Sequence, residues 1–426
     1  MSDEGSGSRD AGRLVVHAYW ERPAIGPGGG EARLLVRIET RGAASARAPL
    51  DLALVVDRSG SMAGGKLDLA KQAIDEALRR LGDDDRVAVV AYDDQIDLLQ
   101  ELAPATPRVV ARSRLLLAGI EPRGATNLAG GWLTGCRELT LAPAEQGRVR
   151  RALLLTDGQA NVGVVDPGEL AARAAELRRM GIGTTTLGLG LGFDEDLLSA
   201  MAEAGGGNFH FIADAGELAA CFDREARELT AIAGLGVTFG LSLPPGMTAE
   251  LLNALPTEAR ANGLVVNVGD VALGATIDLV FAIHFDPSPV GTVRRLGASL
   301  RWTNATGASR RRDFRSPAVL TFADDQLACA AADPLVAEQA ALQLAARERR
   351  AALRLDRAGE IAASRARMRR AADALAAAPP SAAIRDRLVE TQILASRATA
   401  YDEATRKRAQ ADASRDRRGV DGESAA

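Results

Sequence analysis

The chain has 426 residues, of which 47% are hydrophobic and 25% charged, so it can bury a substantial core and is not broadly disordered. Its formal net charge of −4 argues against a nucleic-acid-binding or membrane-surface protein. Three widely spaced cysteines exclude a disulfide framework, and three histidines without HExxH spacing argue against a zinc hydrolase.

The two ends of the chain are polar. The N-terminal MSDEGSGSRDAG is acidic and rich in glycine and serine, with neither the basic nor the apolar region of a signal peptide. No apolar stretch reaches the roughly 18 residues of a membrane helix. We therefore expect a cytoplasmic protein without membrane insertion, with disordered tails at 1–11 and 411–426.

Residues 12–233 predict two kinds of structure. Residues 12–45 contain two strands, at 14–20 and 33–39, around a Gly/Pro-rich turn. From 46 to 233, short apolar runs alternate with amphipathic segments, which predicts an α/β domain with a parallel sheet. Its predicted strands are 50–56, 86–92, 151–156, 184–188 and 208–211, with an antiparallel edge strand at 97–101. Its predicted helices are 66–81, 108–118, 128–139, 167–180, 194–204 and 215–231.

The remainder predicts a β-sandwich and then helices. Residues 234–325 contain short strands between Pro/Gly turns, at 237–243, 248–251, 264–268, 276–284, 293–302 and 319–322. The two N-terminal strands would complete this sandwich, so that the α/β domain is inserted into a sandwich split in sequence. Residues 326–410 predict three helices, at 334–356, 360–377 and 381–410, with Gly359 in a turn. The local excess of basic residues indicates either a surface that binds an acidic partner or amphipathic helices whose charged faces are exposed to solvent.

A cluster of oxygen-bearing side chains follows the predicted strands of the α/β domain. The strand at 50–56 ends in DRSGS, which places Asp57, Ser59 and Ser61 on one tight loop. Two further loops offer Thr126, in GATN before a helix, and Asp157, in TDG after a strand. Carboxyl ends of parallel strands are where open α/β sheets bind ligands. Hydroxyl and carboxylate oxygens suit Mg²⁺, Mn²⁺ or Ca²⁺ rather than Zn²⁺.

These three motifs, in this order, resemble a von Willebrand factor A domain with a complete metal-ion-dependent adhesion site, over about residues 50–231. The resemblance implies a Rossmann-like fold and one divalent cation. It implies that Ser59, Ser61 and Thr126 coordinate the metal and that Asp57 and Asp157 act directly or through water. It also implies that an acidic residue of a bound partner completes the coordination. The rest of the chain resembles bacterial proteins that combine such a domain with a β-sandwich and a helical tail.

We therefore expect a non-enzymatic adaptor or scaffold that binds a partner protein through the cation. A Mg²⁺-dependent hydrolase or phosphatase is an alternative, in which a cation beside Asp57 activates water. The sequence contains no P-loop, no GxSxG elbow and no evident general base for it. An accessory subunit of an AAA-type ATPase is a further alternative, which differs in the partner and not in the chemistry.

Other polar or reactive groups of the α/β domain have simpler interpretations. The run at 188–192, GLGLG, lacks the last glycine of a dinucleotide-binding motif and is interpreted as a strand-exit turn. Asp93 and Asp94 either shape specificity beside the metal or belong to a plain loop. Cys136 and His210 are expected to be packed, and Trp20 and Trp302, outside this domain, to fill the sandwich core.

Overall fold

The computed structural model describes most of the chain, namely residues 13–41, 48–141, 145, 147–157, 160–214, 217, 221, 232–304, 308–324, 328–397 and 399–416. The predicted tail at 1–11 lies outside this description, as do Gly158 and all but two residues of the predicted helix at 215–231. In the part that is described, no helix has the length and apolar composition needed to cross a membrane.

The described residues form strands and helices in the order that the sequence pattern indicates. The strands are β1 Arg13–Trp20, β2 Ala24–Ile25, β3 Gly30–Arg41, β4 Leu50–Asp57, β5 Arg86–Tyr92, β6 Ile96–Pro104, β7 Val149–Thr156, β8 Ile182–Leu189, β9 Gly206–Ile212, β10 Ile232–Ser242, β11 Met247–Leu251, β12 Thr257–Arg260, β13 Gly263–Ala272, β14 Thr276–Phe285, β15 Val293–Thr303 and β16 Ser309–Phe322. The α-helices are α1 Lys66–Arg79, α2 Pro107–Ala118, α3 Leu128–Leu141, α4 Pro167–Arg179, α5 Glu195–Ala204, α6 Pro334–Arg357, α7 Ile361–Ala376, α8 Ala382–Ser396 and α9 Glu403–Asp416.

A six-stranded sheet in the order β6-β5-β4-β7-β8-β9 forms the centre of the α/β part. Neighbouring strands are parallel except β5 and β6, so the predicted antiparallel edge strand is confirmed within the longer β6. Every residue of β4 is buried, as expected for a strand covered on both faces. The parallel arrangement brings the carboxyl ends of β4, β7 and β8 to one edge of the sheet.

Helices cover both faces of this sheet and form two separate cores. Alternate residues of a strand point to opposite faces, so Leu54 of β4 packs in one core with Ile74 of α1. Its neighbour Val55 packs in the other core with Trp132 of α3. The predicted Rossmann-like α/β fold is confirmed.

The first strands of the chain pair with strands that follow the α/β part. β3 and β14 are antiparallel, from Glu39 opposite Thr276 to Gly30 opposite Phe285. They belong to a sheet of order β1-β3-β14-β11, which faces a second sheet of order β12-β13-β10-β15-β16-β2. Apolar side chains of both sheets form one shared core. The predicted insertion of the α/β domain into a split β-sandwich is therefore confirmed.

The sandwich differs from the prediction in three strands. β2 and β12 were not predicted, because a two-residue strand and the exposed TEAR segment show no apolar alternation. β16 begins at Ser309, ahead of the predicted 319–322, since its first half reads SRRRDFR and its pairing with β15 is not visible in the sequence. Trp20 and Trp302 pack against the sandwich core while only partly buried.

Between residues 334 and 416, all of which the structure describes except 398, the chain forms four helices where three were predicted. α6 and α7 meet at Gly359, whose φ of 80° gives the expected turn. The single helix predicted over 381–410 is wrong, because the chain leaves α8 at Ser396 and starts α9 at Glu403. Tyr401 is buried in this break, and its hydroxyl donates to the Leu394 carbonyl over 3.0 Å. α9 continues to Asp416, so the first residues of the predicted disordered tail at 411–426 are helical.

An ionic cluster joins the α/β part to the sandwich. Asp270 of β13 accepts hydrogen bonds from Arg178 of α4, at 2.7 and 3.0 Å, and from Arg151 of β7, at 3.4 Å. Burial raises the pKa of Asp270, but the two guanidinium groups and the Gly236 amide outweigh it and hold that pKa well below its ordinary value. The predicted domain boundaries themselves stay predictions.

Candidate metal centre

Three loops meet at the carboxyl edge of the central sheet. Asp57 is the last residue of β4, and Asp157 directly follows the neighbouring parallel strand β7. The third loop, residues 124–127, precedes α3 and is joined to the first by a hydrogen bond from the Gly60 amide to the Gly124 carbonyl over 3.1 Å. The fold thus places all three predicted motifs beside one another.

Asp57 is fully buried and held from two sides. One carboxylate oxygen accepts from the Ser59 amide at 2.7 Å, and the other from the Thr156 hydroxyl at 2.6 Å. Burial raises the pKa of Asp57, the bonds from Thr156 and Ser59 lower it, and repulsion by Asp157 raises it. The net result is a pKa above the ordinary value, so an added positive charge nearby would be favourable.

The two serines and Asp157 form a continuous hydrogen-bonded chain. The hydroxyls of Ser59 and Ser61 lie 3.1 Å apart, and the Ser61 hydroxyl donates to Asp157 Oδ1 over 2.8 Å. The Lys66 ammonium at the start of α1 binds the other oxygen of Asp157 and also donates to the Ser61 carbonyl over 3.1 Å. Both carboxylates of the cluster are therefore oriented by donors on each of their oxygens.

Thr126 is buried in the third loop, two residues after the Gly124 carbonyl that binds the first loop, and the described contacts give it no direct hydrogen bond to the other four residues. Its amide donates to Asn161 Oδ1 over 2.8 Å, and its carbonyl accepts from the Asn161 amide over 3.1 Å. Gly124 has a φ of 67°, and a Cβ there would collide with the Asp94 carboxylate. The backbone of this loop is thus fixed independently of the Thr126 hydroxyl.

A second ionic cluster lies beside the first loop and was missed in the sequence. Arg58, at the variable position of the DxSxS motif, is buried, and it donates to Asp93 over 3.1 Å and to Asp97 over 2.5 Å. Arg123 donates to the same Asp93 oxygen over 2.6 Å. Burial raises the pKa of Asp93, but the bonds from Arg123 and Gln95 and the charge of Arg58 outweigh it, so the pKa is lowered. Asp93 is therefore part of the support of the loop, and Asp94 is exposed.

The glycine-rich run after β8 forms a turn against these loops. A Cβ on Gly188 would collide with the Phe193 ring, and one on Gly192 would lie 2.9 Å from the Asp157 carbonyl. The run is a strand-exit turn, as predicted from the missing glycine of the dinucleotide motif. Cys136 is buried, and burial raises the pKa of its thiol, so no thiolate forms there at neutral pH.

The residues present fit a hard divalent cation. Three hydroxyls and two carboxylates belong to loops that converge at one sheet edge, and the site already attracts the ammonium of Lys66. Across the described residues, no group of three or more His, Cys, Asp or Glu side chains is arranged to hold a metal ion. The predicted donors are three hydroxyls and two carboxylates, which suit Mg²⁺, Mn²⁺ or Ca²⁺ better than Zn²⁺. The assignment of the five side chains as ligands stays a prediction.

Two solved structures share the fold over almost the whole chain. A von Willebrand factor type A protein from Catenulispora acidiphila superposes with a TM-score of 0.75 at 19% identity, covering 96% of this chain and 98% of that one. The ArnB paralog VWA2 from Sulfolobus acidocaldarius superposes with a TM-score of 0.64 at 15% identity, covering 95% and 98%. These likenesses show that the sandwich and the helices occur together with the α/β domain in other proteins.

Sequence relatives match shorter parts of the chain. The uncharacterized protein YfbK of Escherichia coli is 25% identical over 243 residues, which are 55% of this chain and 41% of that protein. The human inter-alpha-trypsin inhibitor heavy chain H3 is 33% identical over 127 residues, 29% of this chain and 14% of that protein. The chain thus spans less than half the length of these relatives. The family model of the von Willebrand factor type A domain matches residues 51–224, and this part of the chain is a von Willebrand factor type A domain.

Proposed function

We propose that this protein is a metal-dependent interaction module that binds an acidic residue of a partner protein through a divalent cation. The observation that supports it most is the hydrogen-bonded chain from Ser59 through Ser61 to Asp157, beside the buried carboxylate of Asp57. Domains of this family are generally protein-interaction modules. Asp57, Ser59, Ser61, Thr126 and Asp157 would hold Mg²⁺, Mn²⁺ or Ca²⁺.

The roles of the side chains follow from their environment. The three hydroxyls are neutral donors, so the five ligands carry only two negative charges. A bound divalent cation would supply the charge that attracts a carboxylate of the partner. The Ser59 amide and Thr156 keep Asp57 oriented, and Lys66 keeps Asp157 oriented.

We also propose that the module is not an enzyme. A hydrolase would need a general base within reach of a water molecule. Asp57 and Asp157 are both assigned to the cation, and donors of the protein orient each of their oxygens, so neither is proposed as that base. An AAA-type ATPase as the partner and a cytoplasmic location stay predictions.

Calorimetric titration of the full chain with Mn²⁺ and with Mg²⁺ tests the proposal. We expect one binding site in the wild type, loss of binding in Asp57→Ala, and weaker binding in Thr126→Ala. Asp313→Ala removes an exposed carboxylate of the sandwich that pairs with Arg311, and it serves as the charge-matched control. Equal metal binding by the wild type and Asp57→Ala, with both proteins folded by circular dichroism, would refute the assignment.

A further inference from the structure

Lysine is rare in this chain, and each lysine side chain has defined contacts in the structure. Only three of its 52 basic residues are lysines: Lys66, Lys71 and Lys407. Lys71 donates to the carbonyls of Ala118 and Ile120, at 3.1 and 2.8 Å, and Lys407 is fully buried. A lysine ammonium is a compact point charge, unlike the planar guanidinium of arginine. The position of Lys66 at the candidate metal centre therefore calls for a specific explanation.

The surroundings of Lys66 leave its ammonium between the protein and the solvent. It binds Asp157, whose side chain is fully buried, and the Ser61 carbonyl, while 34% of the Lys66 side chain is exposed. An ammonium has three donors, so one donor remains directed away from these two acceptors. The turn after β8 leaves room for the side chain, since a Cβ on Gly190 would lie 3.3 Å from Lys66 Cε.

The charge of Lys66 acts in opposite directions on the two binding steps of the proposed function. Asp57 and Asp157 carry two negative charges, which a divalent cation alone would neutralise. With Lys66 present, the loaded centre keeps one net positive charge. Repulsion between the ammonium and the cation weakens metal binding, and attraction between the ammonium and a carboxylate strengthens partner binding. The neighbouring charges of Arg58, Arg123, Asp93, Asp94 and Asp97 remain the same with or without Lys66.

We propose that Lys66 determines the specificity of the metal centre: it lowers the affinity for the divalent cation and raises the affinity of the loaded centre for a carboxylate. This inference rests on the proposed function. Lys66 is a positioning residue for Asp157 and, through its outward donor, a second contact for the acidic group of the partner.

The experiment uses the full chain, Mn²⁺ as the metal and acetate as the carboxylate, at low ionic strength. Electron paramagnetic resonance measures free Mn²⁺, and paramagnetic broadening of the acetate proton signal measures carboxylate binding to the loaded protein. In Lys66→Gln we expect the Mn²⁺ affinity to rise and the acetate affinity to fall, each about threefold or more. Lys66→Arg keeps the charge, so both of its affinities should lie closer to those of the wild type than to those of Lys66→Gln. Lys71→Gln removes a matched charge from the same helix, away from Asp157, and should change neither.

The opposite signs separate this inference from a structural effect. A merely damaged loop in Lys66→Gln would weaken both affinities, and that result, or two unchanged affinities, would overturn the role of Lys66 while leaving the proposed function intact. Absence of Mn²⁺ binding that depends on Asp57 in the wild type would instead overturn the proposed function. Thermal unfolding of each variant in EDTA establishes that the proteins compared are folded.

Discussion

Two guanidinium groups bind one oxygen of Asp93 beside the candidate metal centre, yet they differ in exposure. The Arg58 side chain is 6% exposed, and that of Arg123 is 52% exposed. Arg58 also binds Asp97 of β6. It therefore connects the loop that carries Ser59 and Ser61 to the antiparallel pair β5 and β6 at the edge of the sheet. A buried charge that loses its partner is costly, whereas water replaces an exposed partner.

We expect Arg58→Gln to destabilise the protein by about 3 kcal/mol, because it leaves the buried Asp93 with only its exposed guanidinium partner. Arg123→Gln removes a bond to the same oxygen and should lower the urea midpoint far less, since its side chain is solvated. Urea unfolding at pH 7, followed by circular dichroism, compares the two variants. Similar losses in both would show that burial of Arg58 does not decide the strength of this cluster.

Some residues of the candidate metal centre could be predicted from the sequence, and others could not. Asp57, Ser59, Ser61 and Asp157 could be proposed as a cluster because strand ends and loop motifs are local features that a parallel sheet brings to one edge. The roles of Arg58 and Lys66 could not, because each depends on a partner from a different loop. The sequence shows the charged residues of the DRS and YDD segments, but it does not show which of their carboxylates is buried in the fold.

At the scale of elements, strands and helices with strong periodicity were predictable and those held by tertiary contacts were not. The apolar runs of β4, β5 and β7 match their predicted positions because burial on both faces imposes an apolar sequence. The basic half of β16 is a strand because β15 offers it a partner. The break between α8 and α9 is set by Tyr401, whose amide donates to Asp356 of α6 over 3.2 Å.

The helix α9 docks on the α/β part through a buried lysine. Lys407 Nζ donates to the Phe193 carbonyl over 2.5 Å and to Glu195 over 3.0 Å, and it lies 3.9 Å from the centroid of the Phe193 ring. Burial raises the pKa of Glu195, but Lys407 and Arg357 outweigh it and lower that pKa. Glu195 and Lys407 are thus a charged pair that is satisfied only while α9 is docked.

In Lys407→Met we expect the docking of α9 to weaken, because Glu195 loses its buried partner and keeps only Arg406 and Arg357. The cost should be at most about 3 kcal/mol. Hydrogen exchange followed by mass spectrometry should show faster exchange in 403–416 and in α5, with the sandwich unchanged. Arg408→Gln removes a neighbouring charge that is largely exposed and should leave exchange as in the wild type. Unchanged protection of α9 in Lys407→Met would mean that its apolar contacts, such as that of Ala411, are sufficient.

At the scale of the whole molecule, an inserted domain needs a fixed orientation on its host. The sandwich is closed by strands from both sides of the insertion, so the α/β domain enters and leaves it at neighbouring points. Close to the start of β10, the carboxylate of Asp270 binds Arg151 and Arg178 of the α/β part and the Gly236 amide of the sandwich. All three side chains are less than a tenth exposed, so this ionic cluster contributes to stability only while both parts are folded and in contact.

We expect Asp270→Asn to destabilise the chain by about 3–5 kcal/mol at pH 7, since two buried guanidinium groups lose their counter-charge. The folded pKa of Asp270 is lowered, so its contribution is fully present above the unfolded value of about 3.9 and is lost as the pH falls below it. The difference in unfolding free energy between wild type and Asp270→Asn should therefore shrink when urea titrations at pH 7 are repeated near pH 3.

The matched control for this change is Asp313→Asn, which removes a carboxylate from an exposed pair with Arg311 in the same sandwich. It should cost no more than about 1 kcal/mol, because solvent screens an exposed ion pair. A difference between wild type and Asp270→Asn that stays constant from pH 7 to pH 3 would contradict a charged Asp270 at the interface. Because the cluster belongs to both parts, its loss should also separate their unfolding, seen as two urea transitions by tryptophan fluorescence, with Trp132 in the α/β part and Trp302 in the sandwich.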